Sequence, residues 1–255
     1  MTEHLPDDGS IIIEDLSPDT SILALQGPSS PEICKVILGI DNVVNHFGWQ
    51  EIKPNKLGIG GWIQGTGYTG ERGFEIFIPN NEAEVLWEAL LSTHHDSGVV
   101  PVGLGARDTL RMEKGYLLSG QDFSWSGLEN ETPNPFPSGF LNRGTLETNV
   151  PFGIDLEHEF LGKEQMIGRS VSKIRWRGMK VLDKGPFPRT GSPVYRDEGS
   201  DEPIGWITSG GPSPSLGRMG IGIGYLENVE EGDVVIIAPN PKRRLKAEVT
   251  RMPFI

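Results

Sequence analysis

The sequence predicts an α+β protein, an antiparallel-sheet domain followed by a C-terminal all-β barrel. Three observations lead there. In the first half, strand-like and helix-like patterns arrive in the order strand, strand, helix, helix, which suits an antiparallel sheet with helices beside it. Residues 124–146 then change texture, gathering Gly127, Pro133, Pro135, Pro137 and Gly139 with several Asn, and read as a long loop. From about Arg169 onward, short apolar runs recur between Gly and Pro, the spacing of a small barrel or sandwich. The expected division is 1–150 and 151–255.

The elements follow in order. Residues 1–27 read as a loop and a strand, Ser21-Ile22-Leu23-Ala24-Leu25-Gln26, halted by Gly27-Pro28. A helix to about Leu38 follows, with Pro31 in its first turn. Residues 57–66 form a strand and Thr69-Gly70-Glu71-Arg72-Gly73 a turn, its glycines supplying positive φ. Phe74-Glu75-Ile76-Phe77-Ile78 is the returning strand. Asn80 or Asn81 caps a helix whose buried stripe is Val85, Leu86, Ala89 and Leu90. Gly103-Leu104-Gly105 opens another, with Ala106 and Leu110 four apart and an end near Gly115. Residues 160–166 form a short helix. Barrel strands are expected at 179–182, 193–195, 205–208, 221–225, 234–238 and 245–250.

Composition narrows the functional classes. With 255 residues, 36% of them apolar, the chain has enough material for one large or two modest cores. No apolar run approaches the ~18 residues of a membrane span, and Met1-Thr2-Glu3-His4 does not open a signal or transit peptide. The net charge of −12 disfavours nucleic acid. Two basic runs stand against it, Lys173-Ile174-Arg175-Trp176-Arg177 and Lys242-Arg243-Arg244-Leu245-Lys246, as solvated strand edges or as docking surfaces for an acidic partner. The single cysteine, Cys34, excludes an internal disulfide and a Cys-based metal cluster. It reads as a packed thiol on a helix, and the cytoplasm is the expected location. His94-His95 lacks a suitably spaced third ligand, so no metal is expected. The sequon Asn130-Glu131-Thr132 has no bearing on a cytoplasmic chain.

Gly65-Thr66-Gly67-Tyr68-Thr69-Gly70 satisfies G-x-G-x-x-G, yet a dinucleotide fingerprint must open a helix so that amides face a pyrophosphate. Here the glycines lead into an alternating strand, and a Rossmann site is rejected. Glu75 is the leading site candidate. Phe74, Ile76 and Ile78 take the apolar face, leaving Glu75 and Phe77 on the other. Its carboxylate is either solvated or held to accept two parallel hydrogen bonds from a heterocycle's N–H and amino group. Arg107 sits at a helix start, against the dipole. It answers either a salt bridge to Glu75, Asp108 or Glu113, or a ligand carboxylate or carbonyl.

Six blocks occur in a familiar order: Leu23-Ala24-Leu25-Gln26-Gly27-Pro28, residues 67–76, residues 103–111, residues 160–164, Ile207-Thr208-Ser209-Gly210 with Ser213-Pro214-Ser215-Leu216, and Met252-Pro253-Phe254. Over nearly its whole length the chain resembles the aminomethyltransferase (T-protein) family of the glycine cleavage system. The resemblance implies a tetrahydrofolate co-substrate, with no metal, and a lipoylated H-protein as the partner that delivers the one-carbon unit while ammonia leaves. It implies folate contacts from Glu75, Arg107 and Tyr68. It makes residues 1–150 the remainder of the folate-binding domain.

The pattern is departed from in four places. The family's N-terminal portion, with the aspartate credited with catalysis, has no counterpart, so no catalytic residue is assigned and a separately encoded N-terminal half is an expected partner. Phe152 stands where the family has tryptophan, residues 124–146 exceed the usual connection, and the tyrosine-bearing tail is missing. A folate-dependent demethylase of a methylamine or related donor, and a non-catalytic folate-binding fragment, remain alternatives. The tRNA-modification branch carries a cysteine motif where this chain has Thr66-Gly67-Tyr68-Thr69-Gly70-Glu71, and is set aside.

Overall fold

A computed structural model describes residues 4–92, 98–124, 135–148, 154–169 and 173–255. The chain divides into two compact units, Met1–Gly103 and Leu104–Ile255. His94-His95, the sequon, Phe152 and residues 125–134 of the expected long loop lie outside the described residues.

The first unit carries strands β1 (Thr20–Gln26), β2 (Trp49–Ile52), β3 (Gly61–Gln64) and β4 (Gly73–Pro79), and helices α1 (Ser30–Leu38) and α2 (Ala83–Ser92). The strands lie in the order β1-β4-β3-β2, every pair antiparallel. Strict alternation on β4 buries Phe74, Ile76 and Ile78, which meet Leu25, Ile63, Cys34, Leu38, Leu86 and Leu90 in one core. This burial is the main force holding the unit together. Helix α1 stops where Gly39 turns left-handed at φ 71° and its N–H reaches the carbonyl of Lys35. Cys34 is fully buried there, and burial pushes its thiol up to about 12. The thiol is packed.

Two expectations for α2 need correction. Val85 is exposed, because the inward stripe runs Ala83, Leu86, Leu90, and a residue one position off that line turns about 100° away. Asn80 does not cap the helix. Its side chain instead accepts from Ser21 Oγ (2.7 Å) and donates to the carbonyl of Pro18 (2.8 Å), tying the helix start to β1.

The second unit opens with α3 (Leu104–Glu113), continues through α4 (Lys163–Arg169), and closes a six-stranded barrel. Its strands are β5 (Ile174–Val181), β6 (Pro193–Tyr195), β7 (Gly205–Ser213), β8 (Met219–Glu227), β9 (Val234–Asn240) and β10 (Arg243–Thr250), in ring order β10-β5-β8-β7-β6-β9. All six strands send residues into one interior cluster, among them Met179, Val194, Ile207, Leu226, Val235 and Val249. A second cluster on the flank joins Trp176, Ile223 and Tyr225 to Met112, Phe140 and Phe254.

Here too the sequence reading is amended. The strand expected at 205–208 runs on to Ser213, and Gly210 lies against the connection between β5 and β6, where a Cβ would sit 2.9 Å from the carbonyl oxygen of Pro188. The short helix expected at 160–166 starts three residues later, at Lys163. On α3 the buried residues are Arg111, Met112 and Glu113, whereas Ala106 is exposed. The helix ends in a Schellman motif, with Gly115 at φ 74° and amides of Gly115 and Tyr116 reaching the carbonyls of Met112 and Arg111.

Candidate functional site

The β3–β4 connection is where the sequence concentrates its chemistry. Residues 65–72 leave β3, turn without regular structure and return as β4. No helix begins there, so these glycines do not form a dinucleotide cradle. Their role is steric. The Gln26 amide lies inside the loop, donating from Nε2 to the carbonyls of Thr66 (3.2 Å) and Phe74 (3.1 Å). A Cβ on Gly67 or Gly73 would come within 2.0 and 2.2 Å of Gln26 Oε1. The loop is tied further at its far end, where Gly27 N–H and Ser30 Oγ both donate to the carbonyl of Arg72.

Glu75 stands on the sheet face turned from the core, half-buried. Its cross-strand neighbours are Gln64 on β3 and Ala24 on β1. Next along the same face, Trp62 and Phe77 stack with centroids 5.1 Å apart and planes 9° from parallel. Thr66 Oγ1 donates to Glu75 Oε2 at 2.5 Å. A half-buried carboxylate, one oxygen anchored and an aromatic pair beside it, is chemically suited to the polar edge of a flat heterocycle. Tyr68 is half-buried in the connecting loop.

Arg107 belongs to the second unit, exposed on the first turns of α3. Two of the carboxylates weighed for it are engaged elsewhere. Asp108 accepts from Arg111 (2.7 Å), and Glu113 accepts from the hydroxyls of Ser213 (2.5 Å) and Ser215 (2.7 Å). What fixes α3 is a group that sequence reading passed over. Arg111 is fully buried and donates to Asp122 (2.6 Å), Ser209 Oγ (2.7 Å) and the carbonyl of Tyr116 (2.9 Å). Asp122 in turn accepts from Thr208 and Ser209 and from the amide of Leu118. A buried charge this well answered is a positioning device for the helix that carries Arg107. The only sequence signal was an Arg four places after Arg107, which looks like one more surface cation.

In each basic run one arginine is held by bonds within the chain. Arg177 donates to the carbonyl of Val229 and to Glu230. Arg244 lies 4.3 Å from the Tyr195 ring centroid and donates to the carbonyls of Glu198 and Ser200. β5 and β10 are paired on both sides in the closed ring, so neither run is a strand edge, and these internal bonds speak against a free docking surface at Arg177 and Arg244. Among the described residues, no group of three or more His, Cys, Asp or Glu could hold a metal ion. Nor is any described helix long and apolar enough to cross a membrane.

Comparison with known proteins matches residues 1–130 to the GCVT N-terminal domain and residues 175–255 to the glycine cleavage T-protein C-terminal barrel domain. The aminomethyltransferase of Desulforamulus reducens is 34% identical over 250 residues, covering 95% of this chain and 62% of the relative. The probable aminomethyltransferase of Halobacterium salinarum is 32% identical over 244 residues, covering 95% and 61%. The crystal structure of glycine cleavage system aminomethyltransferase T from Bartonella henselae superposes with a TM-score of 0.73 at 27% identity, covering 92% of this chain and 60% of that one. The chain thus spans about three fifths of the length of the curated relatives it matches.

Proposed function

The chain belongs to the glycine cleavage T-protein family, and on that premise we propose that it serves tetrahydrofolate-dependent aminomethyl transfer. Tetrahydrofolate is the acceptor, the donor is the aminomethyl group on the lipoyl arm of a glycine cleavage H-protein, and ammonia is released. The single observation that carries this reading is the carboxylate of Glu75, anchored on one oxygen and held on an aromatic sheet face. In this reading Glu75 accepts from the N–H and amino group of the pterin, Tyr68 borders the ring, and Arg107 is carried over from the resemblance as a contact to an anionic or carbonyl group of folate. The work of these residues is binding and orientation, which brings N5 of folate to the electrophilic methylene carbon. No catalytic residue is assigned. The division at residue 150 is part of this reading and is supported by family matches that stop at 130 and resume at 175. So is a cytoplasmic location, which a lone buried thiol supports.

The test is calorimetric titration of the chain with tetrahydrofolate, followed by turnover with aminomethylated H-protein. Binding lost in Glu75→Gln and in Arg107→Met supports the reading. Turnover with methylamines in place of H-protein would convert it to a demethylase, and binding without turnover on either donor to a folate-binding fragment.

A further inference from the structure

We propose that Thr66 is a positioning residue for Glu75, and that Gln26 holds Thr66 in place. The inference rests on the folate reading of Glu75 and adds to it how the carboxylate comes to be oriented before ligand arrives.

Thr66 is gripped from both sides. The preceding Gly65 donates its N–H to the carbonyl of Gly48 (2.9 Å) and accepts from the amide of Phe47 (3.0 Å). It has no room for a side chain, since a Cβ there would sit 2.1 Å from the carbonyl oxygen of Asn45. On the other side, the carbonyl of Thr66 accepts from Gln26 Nε2, whose amide fills the space that Gly67 and Gly73 leave open. The backbone at Thr66 is therefore set by contacts independent of any ligand. Its hydroxyl has one proton, and it is directed at Glu75 Oε2.

The lone-pair count then favours one kind of ligand. A carboxylate offers about four acceptor positions. Thr66 takes one on Oε2, leaving another on that oxygen and both on Oε1. Two parallel donors, one to each oxygen, can still be accepted, whereas the rotation of the carboxylate that would spoil their geometry is opposed. Holding an acceptor in its bound orientation improves affinity by reducing the ordering left to occur on binding.

The experiment titrates the full chain with 5-formyltetrahydrofolate, comparing wild type with Thr66→Val, Thr66→Ser, Glu75→Gln and the double variant T66V/E75Q. Thr66→Val is expected to weaken binding about tenfold while the chain still melts cooperatively, because the carboxylate loses the donor that orients it. Thr66→Ser restores affinity, and T66V/E75Q binds no more weakly than Glu75→Gln. Wild-type affinity in Thr66→Val, or a double variant with fully additive losses, overturns the positioning role. Wild-type affinity in Glu75→Gln overturns the folate reading itself. A crystal structure of Thr66→Val supplies a ligand-free readout: Glu75 is expected to leave its wild-type rotamer, and an unmoved carboxylate overturns the proposal.

Discussion

Arg111 and Asp122 meet at 2.6 Å with both side chains fully excluded from solvent. Asp108, Tyr116, Thr208, Ser209 and Leu118 complete the network. Removing one partner leaves the other charged in a dry interior. Arg111→Met is expected to lower the stability of the barrel unit by about 3–5 kcal/mol. Urea denaturation followed by tryptophan fluorescence measures it, and a loss under 1 kcal/mol would show that the pair is hydrated.

Glycine substitutions should separate into two classes. Gly67→Ala pushes against the end of a flexible Gln26 side chain, so its cost is the amide's hydrogen bonds, about 1–2 kcal/mol. Combined with Gln26→Ala it should add almost nothing, and chemical denaturation of the double variant checks this. Gly224→Ala meets backbone instead, with its Cβ 2.0 Å from the carbonyl oxygen of Trp206. There the β7–β8 ladder must part, and a loss of roughly 3 kcal/mol or more follows without a suppressor.

Cys34 gives stability a pH dependence. Its thiol is raised by burial from an ordinary 9.0 to about 12. Below pH 9 the thiol is protonated in both the folded and unfolded chain and contributes no slope. Between 9 and 12 the unfolded chain ionises while the folded one does not, so stability falls by up to about 1.4 kcal/mol per pH unit. Denaturation midpoints measured from pH 8 to 11 should show this fall, and Cys34→Ala should lack this part of it. The same burial predicts no reaction with a thiol reagent at pH 8 until the chain is unfolded.

Tyr225 is buried in the barrel flank with its hydroxyl unpartnered among the described residues. Burial leads the causes that hold this phenol well above its usual range. Because the folded state gains nothing from that oxygen, Tyr225→Phe should be neutral or stabilise by about 1 kcal/mol. A thermal melt lowered by several degrees would contradict this.

The extent to which the chain could be read in advance follows from the range of each signal. Alternation at 74–78, the Pro31 helix start and the spacing of the barrel strands are local, and β4, α1 and all six barrel strands were legible from them. Glu75 was legible as a candidate because a carboxylate interrupts an apolar strand. Thr66 and Gln26 were not, since their pairing depends on contacts 40 residues apart in the chain. Arg111 was missed for the same reason, its serine partner lying 98 residues away. Residue type there pointed the wrong way, toward solvent. Val85 was misplaced by one position because β-branched apolar residues look buried in any helix pattern.

Ring closure leaves the barrel with no outermost strand, but the four-stranded sheet ends in β1 and β2. On those two borders Ile22 is 57% and Trp49 71% exposed. Among the described residues no strand pairs with the outer edge of β1 or β2, and such backbone next to greasy side chains is the usual template for intermolecular strand addition. Clumping during purification should therefore start from the sheet unit, and Ile22→Lys should improve colloidal behaviour more than any change on the barrel.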